Sequence, residues 1–145
     1  MASMNLSDLC DGIETALSAV SGLHTQSYDE LTEGIQNTPL LQVYPVRGAL
    51  RAETGQHTFR GVVRINDITI HADVYAKTRV NIGTDMAAVV DLHDAITDVL
   101  DLQKTGSPFS VTGVKAFTYS WDYAPFEYAG VGYVGIRYVM EFITY

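Results

Sequence analysis

The sequence predicts a single α+β domain, with an antiparallel sheet of four to five strands and two helices packed on one of its faces. Three observations predict it. Residues 57–76 and 114–145 alternate apolar and polar side chains with the period of strands, and residues 6–21 and 84–103 repeat apolar side chains at helical spacing. A length of 145 residues with 47% hydrophobic content suits one ordered domain with its own core.

The elements follow in order. Met1 to Ser3, ahead of a second methionine at position 4, read as residues added for expression, and residues 1–5 carry no pattern that would order them. Ser7 is a candidate helix cap, with Asp8 and Asp11 in the first turn. Leu9, Ile13, Ala16, Leu17 and Val20 recur at helical spacing until Ser21-Gly22 stops the run. Residues 24–39 are polar and acidic and read as a connector. Leu40 to Val46 reads as a strand placed at an edge or a strand end, because Pro45 has no N–H for a ladder. Arg47 to Gln56 reads as a loop.

His57 to Ala76 then reads as one β-hairpin whose two-residue loop is Asn66-Asp67. That register sets Val63 against Ile70 and Phe59 against Val74, and on the other face Arg60 against Asp73. A second helix runs from Thr84 or Asp85 to Gln103, with Val89, Leu92, Ile96, Val99 and Leu100 on one side. Asp91, Asp94, Asp98 and Asp101 form a stripe on the opposite side with no Lys or Arg among them. Thr105 to Pro108 ends this helix. Val114 to Tyr123 and Tyr133 to Tyr145 are two further strands, joined by a nine-residue loop from Ala124 to Gly132 that carries Phe126 and Tyr128. The order is therefore α-β-β-β-α-β-β.

Charge excludes one class of partner. The net charge of −8 argues against ordinary DNA or RNA binding, which needs clustered cations to neutralise phosphates. The imbalance is local: residues 1–46 hold no Lys or Arg, whereas Arg47, Arg51, Arg60, Arg64, Lys77 and Arg79 lie within one segment. Two readings stay open, a solvated surface with scattered charge and a self-complementary pair of surfaces in which the basic segment of one copy meets the acidic stripe of the next. No apolar run reaches the roughly 18 residues of a membrane span, and the N-terminus has no secretion-signal pattern. The single cysteine, Cys10, rules out an internal disulfide and suits a reducing compartment.

Catalytic signals are weak throughout. Gly130-Val-Gly-Tyr-Val-Gly135 matches the dinucleotide fingerprint in letters, but a strand pattern follows it where the phosphate-binding helix is required. His24, His57, His71 and His93 show no metal-ligand spacing, and Cys10 reads as a core filler. No catalytic, metal or cofactor residue is expected, and the chain reads as a non-enzyme. The aromatic row Phe117, Tyr119, Trp121 and Tyr123 is either sheet core or, on a sheet face the helices leave bare, a contact surface supplemented by Phe126 and Tyr128. A pocket built by Trp121, Tyr123 and Phe126 would instead mark a small-molecule-binding module.

The element order, the size, the acidic helix before the last hairpin and the run Tyr133 to Tyr145 resemble the tail terminator (minor tail or tail-completion) proteins of long-tailed bacteriophages. The resemblance implies a structural virion protein, assembled in the host cytoplasm, that forms a homo-oligomeric, hexameric ring. Such a ring caps the tail tube, ends its polymerisation and offers a surface to the head–neck connector proteins, while DNA passes through without specific binding. Another ring protein of the neck would share these features. A ring needs two different, complementary patches on each subunit. Arg60 and Arg64 against Asp91, Asp94, Asp98 and Asp101 are the expected charged pair, with Trp121, Tyr123, Phe126 and Tyr128 as the expected aromatic contacts.

Overall fold

The computed structural model describes residues 5–29, 31, 38–58, 61–78, 82–104, 108–111, 113–128 and 131–144. Of these, residues 51–58, 61–65, 77–78, 82–84, 104 and 128 are described by their backbone alone. The elements are α1 (Leu6–Leu17), β1 (His24–Gln26), β2 (Leu40–Thr58), β3 (Gly61–Thr78), α2 (Ile82–Asp101), β4 (Val114–Tyr128) and β5 (Val131–Thr144). Two short 3-10 turns, Leu102–Lys104 and Pro108–Ser110, link α2 to β4. One five-stranded sheet in the order β1-β2-β3-β5-β4 carries both helices on one side, and every pairing is antiparallel except β1 with β2. This is the α+β architecture and the element order expected.

The strands themselves differ from the expectation. Asn66 and Asp67 are not a turn: they lie inside β3, opposite Leu50 and Ala49 on one side and Thr144 and Ile143 on the other. The apolar alternation changes phase there, from Val63 and Ile65 to Ile68 and Ile70, which in isolation marks a turn. Two flanking strands override it, because a turn at that point would forfeit ladder bonds to both. The hairpin instead joins β2 to β3, whose last described pair is Thr58 with Gly61. Arg47 to Gln56 is accordingly strand rather than loop. Asp73 faces Gln42 and Arg137, not Arg60, which falls outside the described residues. The connector at 24–39 supplies β1, three residues long. Pro45 pairs with Ile70 beside a register shift in β2, past the end of β1, where no second ladder needs its missing N–H. The loop assigned to Ala124–Gly132 is mostly strand, since β4 continues to Tyr128.

The core lies between the sheet and the helices. Leu9, Cys10, Ile13 and Leu17 of α1 and Val89, Ile96 and Leu100 of α2 are buried on rows formed by Leu41 and Val43, Ile70 and Val74, and Ile136, Tyr138, Met140 and Phe142. Each such side chain contributes about 1.5–3 kcal/mol on leaving water. The N-cap of α1 is Asn5 rather than Ser7, and its amide donates to Asp8 at 3.3 Å. Gly12 breaks good helix propensity for a reason visible only in the packing: a Cβ there would meet the Phe109 carbonyl at 2.9 Å. That close approach lets Phe109 enter the core, with its ring centroid 5.2 Å from Phe117.

Candidate functional site

The surfaces left once the core is assigned are the open face of the sheet, its two edges and the outer side of the helices. The open face is held by a polar cluster at its centre. Arg137 donates two hydrogen bonds to Asp73, from Nε at 2.8 Å and from Nη2 at 3.1 Å, and Tyr44 donates its hydroxyl to the same carboxylate. Asp73 is buried while two-fifths of the Arg137 side chain is exposed. Burial, and then the hydrogen bond to Asp73, push the Tyr44 phenol well above its usual pKa. Burial, and then the Arg137 charge, lower the pKa of His71, whose ring meets Tyr44 edge-on at 5.7 Å. Phe126 belongs to this face: it packs 4.6 Å from Tyr75 and lies beneath the Arg137 guanidinium at 5.6 Å. The cluster joins β3 to β5 through a bidentate ion pair, adds β2 through the Tyr44 hydroxyl and β4 through Phe126, and is sufficiently explained as a clasp. Farther along the face, a trough of about 520 Å³ lies over the strand row Arg47, Thr69, Glu141 and Thr118.

Of the two readings of the β4 aromatic row, sheet core holds for Phe117 and Tyr119, and the row does not lie on the bare face of the sheet. Phe117 pairs with Phe142, Tyr119 with Met140, Trp121 with Tyr138 and Tyr123 with Ile136, so the row lies on the helix side. The pocket imagined from Trp121, Tyr123 and Phe126 does not form, because Phe126 has the opposite parity along the strand. Phe117 and Tyr119 pack against the core, but α2 lies over β5 and β3 and leaves the far end of β4 bare. Trp121 and Tyr123 are therefore exposed at the sheet edge. His93 of α2 closes the gap partway: its ring lies 4.3 Å from that of Trp121, and its Nδ1 is 2.7 Å from the Tyr138 hydroxyl. Val90, one turn earlier on the same flank of α2, is also exposed. Tyr128 ends β4 and is described by its backbone alone.

The acidic stripe is real but uneven. Asp91, Asp94 and Asp98 are exposed along the outside of α2. Asp101 closes the helix and accepts a hydrogen bond from Tyr119 at 3.1 Å. Burial, then the charges of Tyr119 and Asp94, raise the pKa of Tyr138 on β5. Acidic groups near a helix C-terminus oppose the helix dipole, and the last turn of α2 holds no basic residue. The stripe is thus locally unfavourable to the helix that carries it. Of its expected basic counterparts, Arg60 lies outside the described residues, and Arg64 is placed by backbone only, within the β2–β3 arm.

The second edge went unrecognised in the sequence. β1 pairs with β2 only from Leu40 to Gln42, so among the described residues no strand pairs with the outer side of β2 from Val43 to Thr58. Beside this edge, on the helix side, Leu6, Val46 and Leu50 line a groove of about 570 Å³, with Arg47 at its margin. All three apolar residues are exposed. The available signal was the spacing Val46, Gly48, Leu50, which reading 47–56 as a loop concealed.

Among the described residues, no group of three or more His, Cys, Asp or Glu side chains could hold a metal ion, and no helix is long and apolar enough to cross a membrane. No protein-family model and no curated protein matches this chain.

Proposed function

We propose that this chain is a structural subunit of a closed, head-to-tail ring, and that the ring is the tail terminator of a long-tailed bacteriophage: it caps the tail tube, stops its growth and presents the surface that meets the head–neck connector proteins. One observation carries the reading. The sheet ends in two long edges of different sequence, β2 beyond Gln42 and β4, with an exposed apolar patch beside each. Bare edges of that length invite pairing with another chain. Two unlike patches on one subunit give a heterologous contact, which generates a ring when the rotation closes. The element order adds the link to tail terminators, the resemblance that names the partners. The net charge of −8 suits a conduit through which DNA slides without phosphate contacts.

The test mixes the purified chain with tail tube protein and follows tube length by electron microscopy and mass by light scattering. The expected result is a hexamer-sized species at tube ends and tubes that stop growing once capped. Tubes that elongate unchanged at a molar excess of the chain would refute the capping role, and a ring that forms but ignores tubes would point to another component of the neck. In the same assay, reversing Arg60 and Arg64 together weakens assembly, and reversing Asp94 and Asp98 as well restores it.

A further inference from the structure

We infer that successive copies of this chain join edge to edge, with β4 of one laid antiparallel along β2 of the next, and with Trp121 and Tyr123 of the first seated in the groove of Leu6, Val46 and Leu50 of the second. The contact rests on the ring proposed above and names the two surfaces that build it. Strand direction permits it: three successive antiparallel pairings, β2 with β3, β3 with β5 and β5 with β4, leave β4 running opposite to β2. A neighbour added side by side therefore continues the sheet with antiparallel ladder bonds.

The faces match as well. Trp121 and Tyr123 point to the helix side of β4, and the groove opens on the helix side of β2, so a continued sheet brings the two together without inverting a subunit. Both halves are apolar and wet in the single chain: Trp121 is 49% and Tyr123 40% exposed, Leu50 59%, Val46 46% and Leu6 41%. A large aromatic set against an aliphatic groove is the composition of an interface centre, where few residues carry most of the affinity. Charge agrees. Asp94 follows His93, the α2 residue whose ring meets Trp121, and Arg47 lines the groove, so the opposed patches carry opposite signs.

The register also implies curvature. Across one subunit Trp121 is level with Tyr138, Ala72 and Val43, while the groove reaches Leu50. Seating Trp121 there offsets each copy from the last along the strands by up to 72 − 66 = 6 ladder positions, since Val43 pairs with Ala72 and Leu50 with Asn66 across the register shift in β2. A repeated offset of one sign tilts strands relative to the ring axis, as closing a sheet into a barrel requires. The inner wall of the ring would then be continuous sheet.

Trp121 is the only tryptophan, so its fluorescence reports the contact directly. The full chain is examined over a range of concentration, alone and with tail tube protein, by light scattering and by acrylamide quenching of tryptophan emission. The expected result is a blue shift and loss of quenching that track the rise in mass. Leu50→Glu and Trp121→Ala, both at exposed positions, should leave a folded monomer and raise the concentration needed for assembly by at least about tenfold. Arg47→Glu and Asp94→Lys should each weaken assembly, and together restore it. A hexamer whose tryptophan stays quenchable overturns this contact and leaves the ring standing. A twofold dimer that buries Trp121 overturns it in favour of β4 pairing with itself. A chain that remains monomeric at every concentration, with and without tubes, overturns the ring and the contact together.

Discussion

Gly135 offers the sharpest test of the sheet register. It sits in β5 opposite Tyr75 and Ala124, where β3 carries a register shift. A Cβ added there would lie 1.8 Å from the Val74 carbonyl oxygen and 3.0 Å from the Phe126 ring, against 3.4–4 Å for an ordinary contact. The obstacle at 1.8 Å is backbone, so the strands must part by about 3.4 − 1.8 = 1.6 Å. That displacement carries N–H···O distances from about 2.9 Å to beyond hydrogen-bonding range. Losing two ladder bonds costs about 1 kcal/mol each, and overpacking adds about 1–3 kcal/mol, for a total of about 3–5 kcal/mol from Gly135→Ala. The corresponding fall in Tm is roughly 6–20 °C for a chain of this size. Gly132, in the same strand, is the control, since a Cβ there meets nothing within 4 Å. Gly132→Ala should be neutral or stabilise by up to about 1 kcal/mol, by restricting the unfolded chain. Both variants are measured by urea unfolding followed by circular dichroism, at concentrations where the chain is monomeric. A Gly135→Ala protein within about 0.5 kcal/mol of the parent would refute the β3–β5 register.

Three further outcomes are expected. In the Asp73–Arg137 pair, Arg137→Met strands a buried carboxylate beside Tyr44 and should cost about 3–5 kcal/mol, whereas Asp73→Asn should cost only about 1–3 kcal/mol because water can reach the half-exposed guanidinium; unfolding free energies in the reverse order would contradict the burial asymmetry. The phenols of Tyr44 and Tyr138 are both held above their ordinary pKa, chiefly by burial. The unfolded chain therefore loses these protons first, and stability should fall as pH rises past about 10, a loss that Tyr44→Phe and Tyr138→Phe each shrink in alkaline unfolding curves. Burial, and then the charges of Asp11 and Asp29, push the Cys10 thiol up to about 11. Thiol reagents at pH 8 should accordingly modify it only as fast as α1 opens, and rapid labelling of the native protein would place Cys10 outside the core.

Local pattern was enough for the helices and for the alternation of β4 and β5, because these depend on which side chains recur at a spacing of two or of about 3.6. It failed where pairing outvoted propensity. Asn66-Asp67 has turn chemistry, yet in β3 its backbone is claimed by strands on both sides, so neighbours far away in sequence decided its conformation. The same held for β4, which keeps Ala124, Pro125 and Phe126 in ladder with β5 as an outermost strand, where a proline breaks no second ladder.

The candidate site divides along the same line. Trp121, Tyr123, Asp94 and Asp98 were legible as unusual residues on regular elements, since composition and period mark them without any partner. Their surroundings were not. That Trp121 points to the helix side and emerges past α2, that Asp73 takes Arg137 across 64 positions, and that Leu6 meets Val46 and Leu50 in one groove are outcomes of sheet order and helix placement. A single strand states which residues share a face; only the packed layers decide whether that face is covered, and by what.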